Sequence, residues 1–415
     1  MVIILLYFFF FKSFKKSFPI IISILFVLNE IGLPFSLIST EKITYLLTLM
    51  LLFKSFRLLK KIEINYLIKI SIILTVIYIL YILSFYYNNS FPDYRVFFRK
   101  TDPLIWQFYI FIGLVYFKRY GTNTFYKYIY IAMVLHLIFW TGYVFIIPFR
   151  DYGIIGLEAY HSATVGFTAA YIIGYNLLVK RKPTKAIVFI VSLLPFLGMA
   201  RGGIIAVTIA FVGYYIYKGH IKSLIYGLLS IALIIYVSNY LIVNVIPQDF
   251  VFSHQGAHNL TELFAKSESA EIAIPTRLIR WQFLIYHFLI NPIFGAGLLL
   301  KTTNAGLDID AFVDLWQGHN YFLSMLAAGG LFLSLPIIIL TIISIAKSFK
   351  WFISSGKNLN NIFGAILVLN VININFTNTY FASYWAGPMI WSLFAVGLYE
   401  LTNKKSEANT ESSNN

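Results

Sequence analysis

One long polar interval interrupts a chain that is otherwise apolar. It opens at residues 248–271 with QDFVFSHQGAHNLTELFAKSESAE and runs to His319. Hydrophobic residues make up 59% of the 415 residues and charged residues only 12%, whereas a soluble domain carries about 25% charged residues. The composition therefore predicts a polytopic membrane protein, and residues 246–318 are its one long extracytoplasmic loop.

Apolar runs of spanning length flank this loop on both sides. A helix needs about 20 apolar residues to cross a bilayer, and such runs cover 18–38, 42–57, 64–86, 104–118, 126–148, 160–180, 184–200, 202–218, 221–245, 320–346, 361–378 and 380–400. We therefore expect an all-α membrane protein with about twelve transmembrane helices in a single domain over residues 1–415. The polar tail, residues 401–415, is expected to be disordered and cytoplasmic.

Lysine and arginine cluster in alternate loops between these runs. With twelve spans every cluster falls on one side, which the positive-inside rule identifies as the cytoplasm, and both termini lie there. Topology thus accounts for the net charge of +15, and no nucleic-acid partner is predicted; the expected surroundings are membrane lipids. The clusters are Lys54, Arg57, Lys60 and Lys61; Lys118, Arg119 and Lys127; Lys180, Arg181, Lys182 and Lys185; Lys218 and Lys222; Lys347, Lys350 and Lys357; and Lys404 and Lys405.

Several arginines lie on the predicted outer side, against this pattern. The loop 246–318 holds seven acidic residues against four cations, so its arginines are not part of a general basic surface. Guanidinium groups bind phosphate bidentately, and converging outer arginines favour a pyrophosphate site. These arginines are Arg95, Arg99, Arg150, Arg201, Arg277 and Arg280. The alternative is local pairing of Arg95 with Asp93, Arg150 with Asp151 and Arg280 with Glu271.

Two segments carry this hypothesis furthest. Arg201 lies in GMARGG (198–203), where glycines permit a tight helical hairpin and a confined charge indicates function, with snorkelling to lipid headgroups as the alternative. TRLIRWQFLIYHFLINPIFGAG (276–297) predicts an amphipathic helix that starts after Pro275, ends at Asn291 and lies on the outer membrane surface. Arg277 and Arg280 share one face of it.

His319 lies at the outer start of the tenth apolar run. The helix dipole there disfavours protonation of the imidazole, so we expect a neutral histidine that can accept a proton, with Asn320 orienting a hydroxyl. The alternative is an interfacial histidine that only forms hydrogen bonds. Glu158 and His161, at the outer start of the sixth run, are further candidates to line the same cavity.

No metal and no cofactor are predicted. The chain contains no cysteine, which excludes disulfides and thiolate ligands. Asp308, Asp310 and Asp314 could be considered calcium or magnesium ligands, but they fit a solvated loop better. The 30 tyrosines and 40 phenylalanines are expected in the main to face lipid or to form interfacial belts.

Three motifs together resemble a known family. Arg277 four residues before Trp281, NPIFGAG at 291–297 and HNYFLSMLAAGGLF at 319–332 are similar to the signature of the O-antigen ligase and polymerase superfamily. Arg201 in ARGG matches that family's arginine at an earlier outer hairpin. The likeness covers residues 160–345 by motif and the whole chain by span number. Thr276 stands where members often have glycine, and Ala328 where members often have an acid.

The resemblance implies a metal-independent, inverting glycosyltransferase of the bacterial inner membrane, whose donor is a glycan linked to undecaprenyl pyrophosphate. Arg201 and Arg277 would hold the donor pyrophosphate and stabilise it as leaving group, and His319 would activate the acceptor hydroxyl. Arg280, Asn320, Arg150 and His161 are assigned to substrate binding.

The expected activity is polymerisation of lipid-linked repeat units of O-antigen or capsule type, with a chain-length regulator as a candidate protein partner. One alternative is an O-antigen ligase of lipopolysaccharide biosynthesis, which transfers the glycan to lipid A-core or another acceptor. The second alternative is a flippase of lipid-linked oligosaccharides. A transporter is expected to place ionisable groups and broken helices at the membrane midplane.

Overall fold

A computed structural model describes residues 13–31, 40–88, 97, 101, 103–146, 162–180, 184–197, 201–219, 221–244, 273–298, 320–354, 358–377 and 386–403. Within these residues the regular structure is helical and no strand is present, which confirms the all-α prediction for this part of the chain. A turn of π-helix, Tyr175–Val179, follows directly on the helix Ser162–Gly174. The helices in chain order are α1 (Phe14–Ile31), α2 (Thr40–Leu59), α3 (Tyr66–Asn88), α4 (Phe108–Tyr120), α5 (Asn123–Ile146), α6 (Ser162–Gly174), α7 (Lys185–Leu197), α8 (Arg201–Lys218), α9 (Ile221–Asn244), α10 (Ala273–Ile290), α11 (Tyr321–Ile353), α12 (Leu359–Thr377) and α13 (Gly387–Thr402).

Each of the twelve apolar runs coincides with a helix, and α10 is the helix expected within the long loop. Several bounds differ from the prediction by a few residues. α10 begins at Ala273, before Pro275, because proline is tolerated in a first turn, where its missing N–H is not needed. α4 is short at 13 residues, and α11 continues past residue 346 to Ile353. The loop segments 246–272 and 299–318 and the tail 404–415 lie outside the described residues.

Two of these helices, α3 and α11, are long and apolar enough to cross a membrane, judged by length and composition. Exposed apolar side chains also cover one face of several helices, and contiguous apolar surface of this kind marks contact with lipid or protein. Insertion of the whole chain as twelve spans stays a prediction. Such side chains include Ile73, Val76, Leu80 and Leu83 on α3; Tyr226, Leu229, Leu233 and Tyr236 on α9; and Leu331, Leu335, Ile342 and Phe349 on α11.

Buried aromatic side chains fill the centre of the bundle, so the expectation that most of them face lipid is wrong for a large group. The buried tyrosine hydroxyl groups are hydrogen-bonded, as most buried polar groups are: Tyr78 donates to Gln107 Oε1 at 2.7 Å, and Tyr109 pairs with Thr48 at 2.9 Å. The largest fully buried side chains are Trp106, Trp391, Tyr78, Tyr109, Tyr116, Tyr126, Tyr171, Tyr321, Phe18, Phe108, Phe111 and Phe117.

The cationic segments gather at one end of the bundle, here termed the cationic end. The Tyr116 hydroxyl, near the end of α4, donates to the Lys15 carbonyl at the start of α1 (2.7 Å). The Trp351 indole, near the end of α11, donates to the Leu401 carbonyl near the end of α13 (2.9 Å). The described cations at this end are Lys15, Lys16, Lys54, Arg57, Lys60, Lys61, Lys69, Lys118, Arg119, Lys127, Lys180, Lys185, Lys218, Lys347 and Lys350.

A buried carboxyl joins three elements at the cationic end. Oε1 of Glu400 in α13 accepts hydrogen bonds from the Thr122 hydroxyl (2.7 Å) and the Tyr126 hydroxyl (3.1 Å). The Asn361 amide, in the first turn of α12, donates to the Glu400 carbonyl. The turn between α4 and α5 is thereby fixed to α12 and α13.

The opposite end of the bundle is fixed by a separate set of contacts. The Tyr321 hydroxyl, at the start of α11, donates to the Pro103 carbonyl (3.0 Å), and its ring lies 5.6 Å from that of Trp391 in α13. The Asn373 amide of α12 donates to the Gly202 carbonyl in α8 (3.3 Å). The starts of α8, α11 and α13 therefore lie at this end.

Candidate functional site

Two of the positions predicted to form the site, Arg201 and Asn320, lie at the end opposite the cationic end, at the starts of α8 and α11. Arg277 and Arg280 lie in the first half of α10. His319, Arg150 and His161 lie outside the described residues. For Arg201, Arg277 and Arg280 the helix position is described, and for Asn320 the side chain as well.

Arg201 is the first residue of α8. Two residues further on, α8 touches α6 backbone to backbone, since a Cβ atom on Gly166 would lie 1.9 Å from the Gly203 Cα. Helix α6 begins at Ser162, directly after His161. The starts of two parallel helices thus lie side by side, at Ser162 and Arg201. Helix starts present unpaired N–H groups and the positive end of the helix dipole, an arrangement that favours anions.

Asn320 is the N-cap of α11. Its Oδ1 accepts a hydrogen bond from the Leu323 amide (3.1 Å), and the residue is 5% exposed. The side-chain oxygen of Asn320 is already bonded to the Leu323 amide. If Asn320 orients a substrate hydroxyl, as predicted, it does so through its NH₂ group. His319 directly precedes this cap in the sequence.

Helix α11 is broken inside the HNYFLSMLAAGGLF motif. Gly330 has φ 59° and ψ −158°, a conformation that glycine adopts far more readily than any residue with a Cβ. The break lies about 14 Å along the helix axis from Tyr321, at 1.5 Å per residue. The sequence predicts one continuous span over residues 320–346, and the break corrects that prediction.

The NPIFGAG motif binds this break and is here termed the docked loop (Asn291–Gly297). On one side the Ala296 amide donates to the Ala327 carbonyl (2.8 Å) and the Gly297 amide to the Ala328 carbonyl (2.9 Å). On the other side the Leu331 amide donates to the Pro292 carbonyl (2.8 Å) and the Phe332 amide to the Ile293 carbonyl (2.9 Å). Two motifs that are 22 residues apart in the sequence, counted from Gly297 to His319, are therefore one structural unit.

Two glycines make this contact close. A Cβ atom on Gly295 would lie 2.4 Å from the Ala328 carbonyl carbon, and one on Gly330 would lie 2.5 Å from the Ile293 carbonyl carbon. Both glycines also have positive φ, 72° and 59°. Because the blocking atoms are backbone, they cannot move aside as a side chain could.

The N-terminal segment of α11, Tyr321–Gly329, is also held by α3 and by the chain just before α4. The Tyr81 hydroxyl donates to the Ala328 carbonyl (2.7 Å). Gln107 lies between Tyr78 and Met325, accepting from the Tyr78 hydroxyl (2.7 Å) and placing its Nε2 3.9 Å from the Met325 sulfur.

The helix that carries Arg277 and Arg280 packs one face against the protein. Phe283 and Leu284 are buried, as expected for the apolar face. Positions 277 and 280 fall in the same helical register as Leu284 and His287, at spacings of three, four and three residues. The arginine positions therefore share the helical register of the buried residues Leu284 and His287.

His287 is a residue that the sequence analysis did not single out. It is 7% exposed, its ring centroid lies 4.4 Å from that of Phe283, and its Nε2 has no hydrogen-bond partner among the described residues. Burial lowers the pKa of His287. Its position seven residues after Arg280 was the signal in the sequence that could have identified it.

The adjacent starts of α6 and α8 are the described feature at this end that favours an anionic group. The described residues contain no group of three His, Asp or Glu side chains that could hold a metal ion, and Asp308, Asp310 and Asp314 lie outside them. Comparison with known proteins does not assign a family, since no family model matches the chain and no curated protein matches it.

Proposed function

We propose that the protein is a multi-pass membrane glycosyltransferase that polymerises repeat units linked to polyprenyl pyrophosphate, on the outer face of a bacterial inner membrane. An acceptor hydroxyl oxygen attacks the anomeric carbon of the donor sugar. The bond from that carbon to the pyrophosphate oxygen breaks, and its electron pair leaves with the pyrophosphate. The proton of the hydroxyl passes to His319.

The observation that carries the proposal is the separation of charge between the two ends of the bundle. Lysines and arginines crowd the cationic end, whereas Arg201 starts α8 at the other end. Arg277 and Arg280 belong to α10, the helix that leads into the docked loop on α11. An arginine away from the cationic end works against the positive-inside signal and calls for an anionic ligand. A diphosphate bound by two guanidinium groups and two helix starts would be such an anionic ligand.

The roles then follow from chemistry. Arg201 and Arg277 neutralise the charge that develops on the leaving pyrophosphate, which lowers the barrier because the charge exists only as the bond breaks. Arg280, Arg150 and His161 bind the donor. Asn320 holds α11 in place and offers its NH₂ group to the acceptor.

A ligase uses the same chemistry with a different acceptor, lipid A-core in place of a lipid-linked glycan. No described contact separates the two, so the experiment must. We retain polymerisation as the proposal and ligation as its alternative.

The break in α11 is the one observation that favours a transporter, since broken helices carry the ion and substrate sites of many transporters. In such sites the free helix ends face a cavity. Here Ala327, Ala328, Leu331 and Phe332 have their backbone groups bonded to the docked loop. The break is thus closed by the chain itself, and this observation favours the enzyme over the flippase.

The test is a gel of surface polysaccharide from a deletion strain, run beside its extracted lipid-linked glycans. Single repeat units on the final acceptor support a polymerase, and long chains left on the lipid carrier support a ligase. Single units trapped on the carrier at the cytoplasmic face contradict the enzyme and support a flippase.

Complementation of the same strain tests the residues. We expect Arg201→Ala, Arg277→Ala and His319→Ala to abolish transfer while the protein still inserts, and Arg57→Ala, at the cationic end, to restore wild-type chains. Wild-type chains from any of the first three variants would remove that residue from the catalytic role.

A further inference from the structure

We infer that Tyr81 and the docked loop position the catalytic end of α11, so that Gly295, Gly330 and Tyr81 are positioning residues for the transfer reaction. They act by setting the direction of the segment Tyr321–Gly329 and hence the place of His319 relative to Arg277. The inference rests on the proposed function, and it adds residues that touch neither donor nor acceptor.

The break in α11 exposes backbone N–H and C=O groups that need hydrogen-bond partners. Carbonyls before a break and amides after it lose their helical partners, and an unpaired backbone group in an apolar setting is unfavourable by several kcal/mol. The docked loop supplies a partner to each of Ala327, Ala328, Leu331 and Phe332. Such a one-to-one match fixes the loop in a single register on α11.

The docked loop cannot shift along α11, because the two backbones are in close contact. Gly295 and Gly330 lie against the backbone of the opposite segment, where even a Cβ atom would be 2.4–2.5 Å from a carbonyl carbon. The loop also continues directly from α10, which ends at Ile290. The direction of α10, with positions 277 and 280, is therefore tied to that of the segment Tyr321–Gly329.

A hydrogen bond from Tyr81 connects this unit to the rest of the bundle. The Ala328 carbonyl accepts from both the Gly297 amide (2.9 Å) and the Tyr81 hydroxyl (2.7 Å), so both of its lone pairs are used. Tyr81 belongs to α3. Its hydroxyl thus connects the unit of α10 and α11 to a helix that carries none of the proposed catalytic residues.

An unbroken helix would be the simpler structure. Alanine at position 330 would favour an unbroken α11, because alanine favours helix over glycine. Glycine at this position adopts the positive φ that the break requires. What the break provides here is a separate direction for the nine-residue segment Tyr321–Gly329, which starts two residues after His319 in the sequence.

The experiment measures glycan transfer by the full-length protein in vesicles, with polyprenyl-pyrophosphate-linked repeat unit as donor, at equal amounts of folded protein. We expect Tyr81→Phe, which removes one hydroxyl, to lower kcat roughly threefold to tenfold, the range of a single hydrogen bond. Gly295→Ala should lower kcat by more than tenfold. The KM for the donor should change little in Tyr81→Phe, because the variant leaves the arginines in place.

Matched controls separate positioning from general strain. Gly121→Ala introduces a side chain at the same φ of 72°, at the cationic end, where nothing lies within 4 Å. Tyr87→Phe removes a hydroxyl from the same helix as Tyr81, at a residue that is 83% exposed. We expect wild-type kcat from both.

A covalent lock tests whether the loop must stay in place. The Phe332 amide bonds the Ile293 carbonyl at 2.9 Å, so positions 294 and 332 lie on adjacent backbone segments, where a disulfide can form. The chain has no cysteine of its own, so a Phe294→Cys/Phe332→Cys pair can be oxidised selectively. We expect the oxidised lock to keep wild-type kcat and to restore kcat when combined with Tyr81→Phe.

Three results would overturn the inference. Wild-type kcat in both Gly295→Ala and Tyr81→Phe would remove the positioning role while leaving the proposed function intact. A lock that is inactive when oxidised and active when reduced would mean that the loop has to leave α11 during turnover. Absence of transfer by the wild-type protein would remove the proposed function, and the inference with it.

Discussion

The side-chain oxygen of Asn320 caps α11 at the point where the proposed catalytic histidine joins it. The side-chain oxygen accepts a hydrogen bond from the Leu323 amide. The backbone of Asn320 itself is extended, with φ −152°, and the helix begins at the next residue, Tyr321. A neighbour whose only described role is structural can still decide the geometry of a reacting group.

Asn320→Ala should lower the free energy of unfolding by about 1 kcal/mol, the usual contribution of an N-cap. Asn320→Asp keeps an acceptor and adds a negative charge at a helix start, so its stability should equal or slightly exceed that of the wild type. Thermal unfolding of the purified protein in detergent checks both. Equal midpoints for Asn320→Ala and the wild type would contradict the cap.

The aspartate variant also separates capping from substrate binding. It retains the cap but lacks the NH₂ group that remains free to meet an acceptor. We expect stable protein with reduced glycan transfer. Full transfer by Asn320→Asp would leave Asn320 with the capping role alone.

His287 gives the stability of this region a defined pH dependence. Its pKa lies below the ordinary 6.5 in the folded protein because of burial, so the unfolded chain binds the proton at a higher pH than the folded one. Its contribution is thus fully present above pH 6.5 and is lost as the pH falls from 6.5 through the folded pKa.

We therefore expect the wild-type melting temperature to fall more than that of His287→Gln between about pH 7.5 and about pH 5.5. The glutamine cannot titrate, so the difference between the two proteins isolates this histidine. An equal fall in both would show that another group governs the acid response.

At the scale of elements, the crossing of α6 and α8 sets where Arg201 begins its helix. The two backbones touch at Gly166 and Gly203, and the Asn373 amide fixes the first turn of α8 from the side of α12. Small residues that allow such approach are typical of helix contacts in membranes.

Gly166→Ala should separate α6 from α8 and lower the free energy of unfolding by roughly 1–3 kcal/mol, as overpacking does. Gly227→Ala is the matched control, because the new Cβ would meet only the ring of Tyr215, at 2.4 Å, and a side chain can turn away. Helix propensity favours alanine in both cases by about 1 kcal/mol. Equal thermal midpoints for the two variants would contradict the close crossing.

The elements also differ in how far the sequence predicts them. Helix α10 ends at Ile290, as Asn291, Pro292 and the glycines of NPIFGAG indicate. The break of α11 at Gly330 was not predicted, although two adjacent glycines stand there. Glycine pairs also occur in unbroken helices, and only the docked loop decides which state is favoured.

At the scale of the whole molecule, the two ends of the bundle differ in charge and in expected role. The sequence predicts that the cationic end is cytoplasmic. The contacts add that residues such as Lys15, Lys118 and Lys350, far apart in the chain, share that end.

Single cysteines in the cysteine-free chain test this arrangement. Tyr87→Cys, at the end of α3 that lies away from the cationic end, should react with a membrane-impermeant maleimide on intact spheroplasts. Lys350→Cys, at the cationic end of α11, should react only after the membrane is permeabilised. Labelling of both before permeabilisation would place both ends on one side and contradict the topology.

The sequence by itself determined where the helices lie and that the cationic segments share one end of the bundle, while their side of the membrane stays a prediction. Apolar runs of a given length can satisfy their backbone in lipid or in a core only as helices, and lysine counts carry the topology signal. The candidate arginines and His319 could also be chosen from the sequence, because charged and titratable residues are rare in such an apolar chain.

Only the tertiary structure decided which aromatic side chains are buried and how the NPIFGAG and AAGG motifs meet. Both a protein core and a lipid surface are apolar, so composition cannot assign Tyr78 or Trp391 to one of them. The docked loop is held by backbone groups of Ala327, Ala328, Leu331 and Phe332, and every residue has such groups. A contact between backbones leaves no side-chain pattern to predict it; the glycines show only that some close approach exists, and the fold supplies the partner.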